Sequence, residues 1–153
     1  MELLDNTDKT ILRILQRDSK KTAKEIANLL NLTVSPIYER IKRLEKRGYI
    51  EKYVAIVNKN LIDLPITAFC QVSLQSHHES FIDKFENQIL NLKEVQECYH
   101  MAGQVDFLLK INMRSLEEYH EFVRTKLSKI ENIGILNTTF SLKVIKQTSE
   151  LYL

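Results

Sequence analysis

The residues of this chain that could do chemistry are few. Of its four histidines, His77 and His78 are adjacent, so no regular element could aim both at one metal, and solvent exposure is the simpler expectation. Cys70 and Cys98 have no metal-like spacing, so neither a disulfide framework nor a zinc site is expected. His100 precedes Asp106 closely enough to form an acid–base pair across a hairpin. Strand alternation, however, sets it opposite Tyr99 and Met101, with no nucleophile nearby. There is no phosphate loop and no glycine-rich fingerprint. Catalysis, a metal and a cofactor are therefore not expected. Recognition chemistry remains. Arg40, Lys42, Arg43, Lys46 and Arg47 put five cations into eight residues, either a solvated helix face or a phosphate-binding surface. Gly103 permits a positive φ or a close backbone approach, and Asp106, three positions on, could hold a ligand ammonium. An ordinary tight turn with a capping aspartate is the alternative.

These residues sit in a chain of 153 residues with a net charge of only +2, which hides an asymmetry. Residues 1–60 carry 13 Lys+Arg against 8 Asp+Glu, whereas residues 61–153 carry 9 against 12, so the two parts hold +5 and −3. A basic N-terminal part suggests an anionic partner such as nucleic acid. With 44% hydrophobic and 27% charged residues the chain is too apolar to be disordered. Gly and Pro make up about 3% of it, against roughly 12% on average, so most residues belong in regular elements. No apolar run approaches the ~18 residues of a membrane helix. Met1-Glu2-Leu3-Leu4-Asp5 is acidic where a signal peptide would be basic, so a cytoplasmic location is expected.

Three helices must position the cations. Ile11, Leu12, Ile14 and Leu15 predict a helix over about 7–18, with Asn6, Thr7 or Asp8 as its cap. Thr22-Ala23-Lys24-Glu25 is a capping box opening a short helix that ends at Asn31. Thr33 caps the third, Pro36 fits its first turn and Gly48 stops it. In that third helix Ile37, Ile41 and Leu44 share one stripe, while Ser35, Pro36, Glu39, Arg40, Lys42, Arg43, Lys46 and Arg47 lie opposite. Two short helices joined by a tight turn, with cations facing outward, form the pattern of a helix-turn-helix. Residues 49–57 are rich in β-branched and aromatic residues and predict a strand, serving as a wing, a connector or both.

Beyond Pro65 the chain predicts a strand at Ala68–Leu74, a helix with Phe81, Phe85 and Ile89, and a strand through Val95, Tyr99 and Met101. Val105, Phe107, Leu109 and Ile111 mark a third strand. Ser115–Glu118 is a second capping box, leading a helix with Leu116, Tyr119, Val123, Leu127 and Ile130. Phe140, Leu142 and Val144 predict the last strand. The order β-α-β-β-α-β is ferredoxin-like, two helices on one face of an antiparallel sheet. The expected class is α+β, a winged helix-turn-helix joined to a ferredoxin-like domain: residues 1–48 the helix-turn-helix, 49–64 a wing and linker strand, 65–153 the ferredoxin-like domain.

The whole chain resembles the leucine-responsive regulatory protein/AsnC family of bacterial and archaeal regulators. The resemblance is carried by Leu4-Asp5 through Asp8, Ile11-Leu12, Glu25-Ile26-Ala27 and Leu32-Thr33. Arg40-Ile41-Lys42-Arg43-Leu44-Glu45 with Gly48-Tyr49-Ile50 is similar to the family's R-x-x-x-L-E-x-x-G-x-I signature. Ala102-Gly103-Gln104-Val105-Asp106-Phe107 resembles its G-D-Y-D effector motif, with Gln104 and Val105 departing from it. The resemblance implies a transcription factor that is not an enzyme and binds double-stranded DNA. On the third helix Ser35, Pro36, Tyr38, Glu39 and Lys42 would approach base edges, and Arg40, Arg43, Lys46 and Arg47 would mostly meet phosphates. It also implies a small-molecule effector, commonly an amino acid, held near His100, Met101, Ala102, Gly103, Gln104 and Asp106 and near Gly134, Leu136 and Thr138. Homodimers formed through the C-terminal sheets, assembling toward an octamer, are implied as well. The alternatives are a constitutive architectural DNA-binding protein and an enzyme on the same scaffold.

Overall fold

The structure, a computed structural model, describes residues 3–153. Met1 and Glu2, part of the acidic start that spoke against a signal peptide, lie outside the described residues. Two compact units form. One runs up to Ile56 and takes in Lys146–Leu153; the other is Val57–Ile145.

In the first unit, α1 (Asn6–Arg17), α2 (Ala23–Leu30) and α3 (Val34–Lys46) enclose Ile11, Leu12, Leu15, Ile26, Ala27, Ile37 and Leu44. The cap of α1 is Asp5, whose carboxylate accepts from the Asp8 N–H at 2.8 Å; the expected caps at 6–8 lie inside the helix. The Thr22–Glu25 capping box forms as expected, and Asn31 closes α2 at φ 52°. Only residues 31–33 then separate α2 from α3, and Gly48 leaves α3 at φ +75°. The expected strand over 49–57 does not form, since residues 51–58 take no regular structure. A ladder needs a partner, and a single chain supplies none here. Tyr53, Val54, Ile56 and Val57 stay exposed.

The tail, residues 146–153, expected within the ferredoxin-like domain, folds back onto α1. Arg17 Nε meets the Glu150 carboxylate at 2.8 Å, and Gln16 exchanges hydrogen bonds with the Leu151 backbone. Arg13 donates to the Leu153 backbone oxygen, and Leu153 packs against the three-helix core.

The elements of the second unit are β1 (Ile66–Leu74), α4 (Glu79–Leu90), β2 (Val95–His100), β3 (Phe107–Met113), α5 (Leu116–Thr125) and β4 (Ile133–Phe140). The strands form one antiparallel sheet in the order β2-β3-β1-β4. This is the ferredoxin-like arrangement. Ala68, Cys70, Val72 and Leu74 of β1 and Phe107, Leu109, Ile111 and Met113 of β3 turn to the helices. There they meet Phe85 and Ile89 of α4 and Tyr119 and Phe122 of α5. Phe81 stays outside this core. The expected box at 115–118 is half-formed: Ser115 caps the Glu118 N–H, but the Glu118 carboxylate takes the Arg114 N–H at 2.7 Å instead. A 3₁₀ turn at Leu127–Lys129 breaks the helix expected to run on to Ile130, yet still delivers Leu127 and Ile130 to the core. Leu116 is exposed.

The last strand is β4 at 133–140, not the expected run through Leu142 and Val144, both of which are exposed. As an edge strand in which Gly134, Ile135, Asn137 and Thr139 are all exposed, it carries little apolar alternation to read. The sheet's other face holds polar links, with Lys110 bonded to Glu97 at 2.7 Å and Thr67 to Asn112 at 2.8 Å.

Candidate DNA-facing helix and effector-side hairpin

Burial of Ile37 and Leu44 orients α3, and exposes Ser35, Pro36, Tyr38, Glu39, Lys42, Lys46 and Arg47. Lys42 Nζ sits 5.7 Å from the Tyr38 ring centre, so the two side chains share one surface. Arg40 and Arg43 behave differently. Arg40 bonds the Asp5 carboxylate at 2.5 Å and that of Asp8 at 2.7 Å; Arg43 bonds Asp8 at 2.9 and 3.1 Å. Asp8 is buried, at 4% exposure. These two guanidiniums therefore staple α3 to the first turn of α1, and two carboxylates offset their charge. Asp5 is held below the usual carboxylate range by the Asp8 N–H and then by Arg40. Arg40 is correspondingly raised, first by its bond to Asp8. In the sequence Asp8 is a candidate helix cap and Asp5 part of an acidic start; their distance from Arg40 along the chain conceals the pairing.

In the second unit the hairpin 101–106 joins β2 to β3 and closes with Met101 N–H on Asp106 O at 2.8 Å. Gly103 is at φ +151° with open space around its Cβ position, a conformation other residues rarely adopt. Ala102 and Gln104 are exposed beside it. His100 does not pair with Asp106. It stacks on Phe107 at 4.6 Å, and its Nδ1 lies 3.6 Å from Glu86. The Asp106 partner is His77, expected to be a plain solvent-exposed residue: His77 Nε2 lies 2.9 Å from Asp106 Oδ1. The other carboxylate oxygen accepts the Leu74 N–H at 2.7 Å.

The second expected stretch lies on β4. Gly134 passes so close to β1 that a Cβ would stand 3.1 Å from Ser73 O. Leu136 packs against the core opposite Val72, and Thr138 shares a 2.5 Å hydrogen bond with the Tyr119 hydroxyl. Burial pushes the Tyr119 phenol up. Asp106 and Gly134 thus flank the same end of β1, whereas Thr138 lies further along the sheet against α5. No group of His, Cys, Asp or Glu among the described residues could hold a metal. No helix there is long and apolar enough to cross a membrane.

Comparison with known proteins accords with this layout. Residues 4–51 match a family described as winged helix-turn-helix DNA-binding, and residues 67–151 match the Lrp/AsnC ligand binding domain. A leucine-responsive regulatory protein of Haemophilus influenzae is 33% identical over 150 residues, covering 98% of this chain and 90% of its own. Among solved structures, an AsnC family transcriptional regulator from Agrobacterium tumefaciens superposes with a TM-score of 0.93 at 32% identity, covering 97% of each chain. A transcriptional regulator from Neisseria meningitidis, solved as an L-Met complex, superposes at 0.94 with 29% identity, covering 98% of this chain and 97% of that one.

Proposed function

From the premise that this chain belongs to the Lrp/AsnC family of DNA-binding transcriptional regulators, which are not enzymes, we propose how its own residues carry the two activities. The exposed row of α3 supports the DNA contact best. Ser35, Pro36, Tyr38, Glu39 and Lys42 meet base edges in the major groove, with Glu39 accepting from cytosine N4. Lys46 and Arg47 meet phosphates. Arg40 and Arg43 chiefly fix the helix that presents the others, and contribute less charge than their number suggests. Gel shift across 50–200 mM salt tests this. Lys46→Ala should weaken binding to all sequences and reduce the salt slope by about one. Glu39→Ala should instead relax specificity at one base pair. Affinity indifferent to salt would refute the assignment.

The effector in this reading is an amino acid. Its ammonium meets Asp106 and its carboxylate meets backbone N–H groups around Gly103. The L-Met complex of the Neisseria relative and the open hairpin support this. The protein works in the cytoplasm as a homodimer that assembles further, with Gly134, Leu136 and Thr138 near the seam. A thermal-shift panel of the twenty amino acids tests the effector, and light scattering with and without each tests assembly. If none moves the midpoint and Asp106→Ala behaves as wild type, a constitutive architectural regulator is left.

A further inference from the structure

Residues 75–78 join β1 to α4, and no sequence motif marks them as part of the site. This segment is pinned from both sides. Toward β4, Gln75 N–H donates to Asn132 O at 2.8 Å, Ser76 N–H to Asn132 Oδ1 at 2.9 Å, and the Asn132 amide returns a bond to Ser76 O at 2.8 Å. Toward the hairpin, Asp106 N–H donates to Val72 O at 3.0 Å, and Leu74 N–H to Asp106 Oδ2 at 2.7 Å. The segment therefore bridges the hairpin and the start of β4, and it delivers His77 to the remaining oxygen of Asp106.

The two oxygens of that carboxylate are unequal. Oδ2 is tied to a strand-end N–H, a bond that holds β1 to the hairpin. Oδ1 is the oxygen left for a ligand, and an imidazole already occupies it at 2.9 Å. The His77 side chain is 66% exposed, so little packing holds it against Asp106. The other histidines near the hairpin are engaged elsewhere: His78 turns to Ser80 and His100 to Glu86.

We propose that His77 gates the effector site: it occupies Asp106 Oδ1 in the free protein and swings away when an amino acid's ammonium takes its place. This rests on the amino-acid reading above. An ammonium brings a full charge and three donors to an oxygen where an exposed imidazole gains little, so the exchange runs toward the ligand. A ligand without that cationic head, such as the corresponding 2-oxo acid, offers nothing to replace the imidazole. Asp106 thus selects amino acids over their deaminated analogues, and the gate holds its free oxygen until one arrives. It also weakens apparent affinity by the fraction of molecules in which Oδ1 is closed.

The test is calorimetric titration of wild type, His77→Ala and Asp106→Asn with L-methionine, the other nineteen amino acids and the 2-oxo acid of methionine. The ¹⁵N resonance of the His77 ring is followed in parallel. His77→Ala should bind the amino acid about two- to fivefold more tightly, the range expected for losing one exposed competing pair. Asp106→Asn should lose binding, and the 2-oxo acid should bind none of the three. On adding ligand, the His77 resonance should move to its position in Asp106→Asn. If an amino acid binds while that resonance stays put and His77→Ala binds equally or more weakly, the gate is refuted and the effector reading stands. If no amino acid binds either wild type or His77→Ala, the effector reading fails and takes the gate with it.

Discussion

Asp8 is the side chain on which the DNA-facing surface turns. It is buried and accepts from two guanidiniums, which are themselves partly exposed. Without the Asp8 charge Arg43 loses this carboxylate partner and Arg40 keeps only Asp5, while a polar group stays buried. Asp8→Asn should therefore cost the three-helix unit about 2–4 kcal/mol in denaturant unfolding, near or below the usual range for a buried pair. The loss in DNA affinity should follow that loss of folding, with the salt slope unchanged in the folded fraction. Asp5 and Glu25 add an acid sensitivity. Both are held below their ordinary values of 3.8 and 4.5, Asp5 first by the Asp8 N–H and Glu25 first by the Thr22 N–H. A carboxyl lowered in the folded state stabilises above its unfolded value and loses that contribution as pH falls through the folded one. The unit's melting temperature should thus begin to drop below about pH 4.5, and Asp5→Asn combined with Glu25→Gln should flatten the drop.

Among the elements, β3 commits a whole face to the core, with Phe107, Leu109, Ile111 and Met113 all buried on the sheet side that carries α4 and α5. Phe107 meets Phe85 at 4.4 Å and His100 at 4.6 Å, so Phe107→Ala should cost about 3–5 kcal/mol by chemical denaturation. The tail is a lighter attachment. Arg17 is largely exposed, so Glu150→Ala should lower stability by less than about 1 kcal/mol. Deleting residues 150–153 also removes Leu153 from the helical core, and should cost about 1–2 kcal/mol. Helices and central strands were legible in the chain because their own periodicity and caps mark them, as with Thr22-Glu25 and the alternation of β1 and β3. The segment 49–57, β4 and the tail were not. Each depends on what lies beside it rather than on its own pattern.

The molecule as a whole separates two jobs along one chain. The basic part, at +5 for residues 1–60, carries the helix-turn-helix, and the acidic part, at −3, carries the ligand binding domain. A dimer would place two α3 helices in successive major grooves, so footprinting should reveal pseudo-palindromic sites with half-sites about one helical turn apart. Protected sites lacking that symmetry would argue against a two-fold arrangement of the DNA-binding units.

Local periodicity, capping residues and the order of elements specified the helix-turn-helix and the βαββαβ sheet, because those signals act over a few residues and survive without knowledge of neighbours. The pairing of Asp8 with Arg40 and Arg43, and of His77 with Asp106, needed the fold, since each joins groups about thirty residues apart whose partners are set by how elements pack. Sequence identified Asp106 as a candidate anion for a ligand. Packing put an imidazole on it, because the chain leaving β1 is pinned between the hairpin and β4.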